Sequence, residues 1–409
     1  MAGLAVAVSL PGAPARADDW KWGPRLGFSN PEADFRVHLA GYIQGDLRSF
    51  RNWDGPEGAD TAEVRRLRIG VEGKWKRLSF ELSVDPRSER NDDPSEGSQH
   101  LRDAYVEVKA AKALHLRAGH FKPPFGLEFQ TGSARTDFIQ RSQLANLLNL
   151  SRDWGAMAEG GIGKRVDYAV GVFGGDGWRE HTRAEATVAA RVVVTPLTGL
   201  EAGASYTFGE VEADPETLED PRPKGFEGEG PTGFEYYVRH FVDGTRQRLG
   251  LDAAYRKGPF GLKGEWVRAT EERNGQGSVF DDLPRERASG FSVWATWLLT
   301  GEKKKGTIEP KRPLFKGPGA WELALRYESF RFDDEGPDTG FAGSGNRARN
   351  IRPAGDDAVT AGLSWWPVEW VRVVGNVMWE QFKDPLLAPE ADRRGRYVTV
   401  LGRLQLQLP

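Results

Sequence analysis

The sequence predicts an all-β fold, a 16-stranded antiparallel transmembrane β-barrel, and three observations carry that expectation. Apolar and polar residues alternate with period two along most of the chain, the strand-like runs number 16, and tight connections alternate with long ones. In Leu78-Ser-Phe-Glu-Leu-Ser-Val-Asp85 every second residue is large and apolar. Side chains alternate across a strand, so one face of this run meets an apolar medium and the other meets water. The stretch 63–74 repeats the pattern, with Leu67, Ile69 and Val71 opposite Arg66, Arg68 and Glu72, and 321–328 repeats it again. The apolar medium is either a second protein layer or lipid.

Taken in order, the period-two runs bounded by turn residues are 35–50, 63–74, 78–85, 100–110, 114–120, 156–163, 168–174, 184–195, 200–209, 245–256, 262–272, 287–299, 320–332, 358–366, 371–382 and 396–407. Tight gaps such as 76–77, 111–112, 164–166, 196–199, 257–261 and 367–370 alternate with long polar stretches at 51–62, 86–99, 121–155, 175–183, 210–244, 273–286, 333–357 and 383–395. Short periplasmic turns and long extracellular loops are the layout of an outer-membrane barrel, and an even strand count is what such a barrel requires. The connection 300–319, with Lys303-Lys304-Lys305, falls on the short side yet is long, against the pattern. Aromatic residues near run ends, including Trp75, Tyr255, Phe260, Trp297, Trp365, Trp366, Trp370 and Tyr397, suit interfacial girdles. They also suit any strand, where aromatics are favoured.

Composition narrows the classes further. No stretch approaches the roughly 18–20 apolar residues of a spanning helix, which excludes a helical membrane protein and leaves a barrel open. Cysteine is absent, so disulfides and thiol chemistry are absent too, and the net charge of -3 argues against a general nucleic-acid binder. The first residues, MAGLAVAVSLPGAPARADD, set an apolar run and Ala15-Arg16-Ala17 before Asp18, as in a secretory signal peptide over 1–17 that lacks the usual basic start. The remainder reads as an N-terminal segment, 18–34, and a single barrel domain, 35–409.

For catalysis the inventory is thin. The six histidines form no metal spacing, the acidic pairs have no calcium-loop periodicity, and no hydrolase motif occurs, so neither an enzyme nor a cofactor is expected. Basic residues on the polar faces offer more. By parity Arg66, Arg68, Arg117, Arg191, Arg246, Arg248, Arg326 and Arg372 face the lumen, where guanidinium groups offer an anion successive weak sites. The alternative is that Arg66 and Arg68 pair with Glu72, Glu81, Asp85 and Glu107 and only brace the wall. The third long connection, 121–155, starts Phe121-Lys-Pro-Pro-Phe-Gly126 and carries Phe138, Leu144, Leu147 and Leu148 at roughly helical spacing. A long loop with its own apolar face packs against something. Folded inward, it presents Lys122, Arg135, Arg141 and Arg152 to the pore; as an external lid or subunit contact it does not.

Collinear motifs carry a family resemblance. Val64-Arg-Arg-Leu-Arg-Ile-Gly70, Leu101-Arg-Asp-Ala-Tyr-Val106, Ala118-Gly-His-Phe-Lys-Pro-Pro-Phe-Gly-Leu-Glu128, Phe138-Ile-Gln-Arg-Ser142, Ser151-Arg-Asp-Trp-Gly155 and Val170-Gly-Val-Phe-Gly-Gly-Asp-Gly177 resemble, in order, the phosphate-selective porin O and P family. Asp243-Gly-Thr-Arg-Gln-Arg248, Gly258-Pro-Phe-Gly-Leu-Lys-Gly-Glu265, Leu298-Leu-Thr-Gly-Glu302 and Gly319-Ala-Trp-Glu-Leu-Ala-Leu-Arg-Tyr327 continue it over nearly the whole mature chain. The resemblance implies a homotrimer in the outer membrane of a Gram-negative bacterium, in contact with lipid and lipopolysaccharide. It also implies an inward-folded loop 3 and a pore that conducts small anions such as phosphate. Motif by motif it marks Arg66, Arg68, Lys122, Arg141, Arg152, Arg246 and Arg248 as pore-lining residues. Two departures stand out: the acidic run 210–220 where a phosphate-gathering mouth ought to be basic, and an end, Leu408-Pro409, without the aromatic residue common in this class.

The leading expectation is therefore a passive, anion-preferring channel. Its alternatives are a general diffusion porin without phosphate selectivity, a plugged structural or adhesion barrel, and a soluble exported β-sandwich or β-rich hydrolase.

Overall fold

The computed structural model describes residues 21–23, 26–51, 60–87, 100–148, 150–175, 186–211, 225–230, 235–277, 279–336, 349–383 and 395–408. The expected signal peptide at 1–17 and most of the acidic run 210–220 lie outside these residues. Two short strands come first, β1 (Lys21–Gly23) and β2 (Gly27–Asn30). The wall then follows as β3 (Phe35–Arg51), β4 (Thr61–Trp75), β5 (Leu78–Val84), β6 (Leu101–Ala111), β7 (Leu114–Phe121), β8 (Asp153–Ile162), β9 (Val166–Phe173), β10 (Thr187–Leu197) and β11 (Leu200–Val211). A small hairpin, β12 (Gly228–Glu229) and β13 (Glu235–Tyr237), interrupts it. The wall resumes with β14 (Gly244–Lys257), β15 (Phe260–Arg273), β16 (Leu283–Leu298), β17 (Ala320–Asp334), β18 (Ala354–Val368), β19 (Val371–Phe382) and β20 (Arg396–Gln407).

Each wall strand pairs antiparallel with the next, and β20 pairs with β3 from Val398↔Arg51 to Gln407↔Tyr42. The sheet thus closes on itself as a 16-stranded barrel, which removes the two-sheet sandwich from consideration. Below Tyr42 the edge of β3 is taken by β2, in register Gly27↔His38 to Asn30↔Phe35. A bulge between Gln44 and Gly45 on β3 absorbs one residue of β4, so Val64 and Leu67 both point outward while Glu63 and Arg66 point in.

The outer face carries Ile69, Leu82, Leu116, Leu251, Leu325 and Val377, all about half exposed, as a lipid-facing band demands. At the turn ends Trp321 stacks on Trp365 and Phe260 on Trp297. The inner face is divided. On the β15–β20 side it presents Ala288, Phe330, Phe332, Ala354, Phe382 and Tyr397, and these pack with Phe125, Leu144 and Leu148 of loop 3 and with Phe226, Tyr236 and Tyr237 between β11 and β14. Tyr237 lies flat on Phe332 with ring centroids 4.0 Å apart. The extracellular part of that side is a packed aromatic core, with buried Glu328, Asp356 and Glu380 beside it. On the other side a smaller cluster, Phe121, Met157, Phe173 and Ala189, packs against the wall.

Candidate functional site

Loop 3, residues 122–152, leaves β7 at a bend. Gly119 adopts φ 138°, where glycine is favoured, and a Cβ there would lie 2.2 Å from the Ala104 carbonyl oxygen. The connection is shorter than the expected 121–155, because Asp153 and Gly155 pair with Phe121 and Gly119 as strand. The loop crosses the lumen and is held to the wall at each step. Gly126 N–H donates to Ser205 Oγ, and the N–H groups of Leu127 and Glu128 donate to the Glu265 carboxylate. Ile139 N–H donates to Asn376 Oδ1 at 2.8 Å, and Arg326 donates to the Gln140 carbonyl at 3.0 Å. Arg372 donates to the carbonyls of Thr136 and Asp137, while Gln44 and Gln405 donate to those of Ser133 and Ala134. Ser142 caps α1 (Gln143–Leu147), the single helix among the described residues, by accepting from Ala145 N–H, and its own hydroxyl donates to Glu128.

Pressed against the packed core, loop 3 leaves space beside the opposite wall. A cavity of about 390 Å³ lies there, lined by Arg68, Arg117, Lys122, Arg135 and Arg152, by Glu72, Glu81 and Asp103, and by Tyr42 and Tyr105. It shares Glu72, Glu81 and Tyr105 with a second space of about 350 Å³ that reaches Lys74, Lys76 and Arg77 at the first tight turn. It shares Gln130, Gly132, Ala134 and Arg135 with a third, of about 490 Å³, beneath loop 3 and beside Lys263, Lys304 and Lys305. The lumen therefore forks around the segment 130–135.

The cations in the first cavity differ in what they face. Arg152 forks onto Asp103 at 2.9–3.1 Å, and Arg117 bridges Glu107 and Glu159 at 2.6 and 2.7 Å. Arg68 lies over the Tyr42 ring and, among the described residues, has no carboxylate partner. Arg135 likewise forms no ion pair among the described residues. Lys122 donates to the Phe129 carbonyl, and burial, together with repulsion from Arg141 and Arg152, pushes its ammonium down to about 6. Three cations with no ion-paired carboxylate among the described residues, one of them short of charge, make a site that gains from an incoming oxyanion.

A profile of the family described as phosphate-selective porin O and P matches residues 37–408. The chain belongs to that family. Porin O of Pseudomonas aeruginosa is 23% identical over 385 residues, covering 85% of this chain and 83% of that protein. Solved structures share the fold. The channel DcaP of Acinetobacter baumannii superposes with a TM-score of 0.57 at 11% identity, covering 92% of this chain and 98% of its own. An anion-selective porin from Comamonas acidovorans gives 0.55 at 12%, covering 91% and 99%. This porin is thus an outer-membrane channel for phosphate or similar anions, placed in a Gram-negative envelope.

Of the porin residues marked in sequence, Arg68, Lys122, Arg135 and Arg152 meet at one cavity. Arg66 instead donates to Gln44 Oε1 at 3.1 Å, one step from the loop-3 carbonyl that Gln44 holds. Arg141 uses its donors on Glu128, Thr131 and Ser133 within loop 3. Arg246 and Arg248 sit on Glu271, at 2.6 and 3.5 Å, near the extracellular end of β14 and away from that cavity. Both face inward as strand parity requires, and Glu271 on the neighbouring strand takes up their charge. Lys263 and Lys304 were not marked, and both reach Asp137 of loop 3. The long connection on the short-turn side was the one signal for Lys304. Among the described residues no acidic or histidine group is arranged to hold a metal ion.

Proposed function

We propose that this porin prefers small oxyanions because they pass along the β3–β8 wall, and that Arg68, Lys122, Arg135 and Arg152 form its filter. The observation that carries this reading is the clustering, in the space loop 3 leaves open, of Arg68, Lys122 and Arg135, which form no ion pair among the described residues, beside Arg152, which is paired with Asp103. Water fills such a cavity, so each contact is weak enough to release the ion, and the file of donors is dense enough to admit it. Phosphate suits the site because guanidinium forks match its oxygens. The structures of similar porins include one of Vibrio cholerae OmpT described as a trimer form, which supports a homotrimer here.

Glu72, Glu81 and Asp103 in the same cavity favour a second reading, a general diffusion pore with mild anion preference. Planar-bilayer recording separates the two. In a chloride gradient the wild-type reversal potential is expected on the anion side, added phosphate is expected to block chloride current, and R68E with K122E to abolish both. Chloride preference without phosphate block favours the second reading, and cation preference in the wild type sinks both.

A further inference from the structure

The connection 300–319 is long where every other one on its side is tight, and it does not hang free. Ile308 is buried with Leu298, Ala320 and Trp366, the Leu314 N–H donates to the Pro367 carbonyl, and Trp321 and Trp365 both donate to the Pro318 carbonyl. Lys304 N–H donates to the Gly258 carbonyl at 2.8 Å, which ties the segment to a second turn. From this frame the Lys304 side chain rises into the lumen over Gly261, whose Cβ position would be 3.3 Å from its Cγ.

Its ammonium lies 2.7 Å from Asp137 Oδ1 and 2.5 Å from Glu322 Oε2. Lys263 Nζ and Trp294 Nε1 reach the other oxygen of Asp137 at 2.6 and 2.7 Å. Two ammonium groups and two carboxylates balance, and all four are nearly inaccessible. Burial alone lowers the Lys304 ammonium, but Asp137 and Glu322 overcome it and hold it above its usual range, while the two lysines hold the Asp137 carboxyl well below its own. A cation so matched adds little net field to the pore. Arg135 and Lys305, which line the same space, form no ion pair among the described residues.

We propose that Lys304 is a positioning residue for the constriction: the 300–319 connection acts as a strut that pins loop 3 from the periplasmic side through Asp137 and so sets the pore's width. The proposal rests on the channel reading above. It differs from a role as a pore charge in a way that current recordings resolve. If Lys304 acts as a strut, K304M and D137N both release the loop, so each raises single-channel conductance and open-channel noise and each lowers anion preference. The double variant adds little to either single one, because they break the same contact. K304R keeps the quiet wild-type current, and K316M, which removes a lysine on the exposed part of the same connection, changes nothing. Folding is checked by heat-modifiable migration of each variant. The strut is overturned if K304M stays as quiet and as narrow as wild type, or if D137N raises anion preference while K304M lowers it, the pattern of free pore charges. A wild-type channel without anion preference overturns the functional reading instead and leaves the noise test standing.

Discussion

Lys122 shows how one side chain ties selectivity to pH. A lysine ordinarily stays charged to about pH 10. Here burial and the neighbouring Arg141 and Arg152 bring the value to about 6, so the ammonium is charged below that and neutral above it. Anion preference is therefore expected to rise as the bath is acidified from about pH 8 to about pH 5, well before other lysines titrate. Reversal potentials in a chloride gradient measure this, and K122M is expected to flatten the profile. Asp46 and Arg403 make a different residue-scale prediction. They face each other across the β3–β20 seam, forked at 2.6 and 2.7 Å and buried. D46A leaves a guanidinium alone at the closure, which costs about 3–5 kcal/mol for a buried pair. The expected readout is a lower temperature for heat-modifiable migration, with R403M milder because the carboxyl left behind can take up a proton, whereas a stranded guanidinium cannot give one up.

At the scale of elements, loop 3 was legible as an inward-packing segment but not as the path it takes. Leu144 and Leu148 do enter the packed core, as their spacing suggested. Phe138 does not share the helix: it lies before Ser142, and Arg326 rests on its ring at 4.7 Å. A five-residue helix has too few turns to stand alone, and its cap and packing must hold it. S142A removes both the cap and the hydroxyl that Glu128 accepts, so a loss of about 1–2 kcal/mol is expected, read as increased open-channel noise and faster proteolysis of loop 3. Strand limits moved where cross-strand pairing outran the alternation. β8 begins at Asp153 because loop 3 delivers it beside Phe121, and β18 begins at Ala354 because Phe332 lies opposite. The 300–319 connection broke the sequence pattern for a reason the pattern could not contain, since its partners lie at residues 137, 258 and 367.

Across the whole molecule, the lumen is asymmetric. On the β15–β20 side the extracellular part is sealed by aromatic packing between the wall, loop 3 and Phe226, Tyr236 and Tyr237, leaving open space only beneath loop 3; the β3–β8 side keeps the cavity that gathers Arg68, Lys122, Arg135 and Arg152. The expected consequence is that replacing 226–241 with a short Gly-Ser linker enlarges conductance while leaving anion preference in place, because the filter residues are on the opposite wall. Loss of anion preference with that deletion would instead assign selectivity to the extracellular half.

Alternation along each strand determined, from sequence alone, that the chain forms two-faced strands, and which side chains share a face; the β20–β3 pairing decided that they close into a barrel. The first follows because a strand's period is a local property, fixed by backbone geometry residue by residue. Phe330 and Phe332 turn inward, where a polar lining was expected. Only the tertiary structure decided that these rings meet Tyr236 and Tyr237 and seal the extracellular part of that side, and that Arg246 pairs with Glu271 while Arg68 forms no ion pair among the described residues. Which inward charge is neutralised and which is left for a passing ion depends on residues brought together by closure and by loop 3. No periodicity along the chain records those meetings.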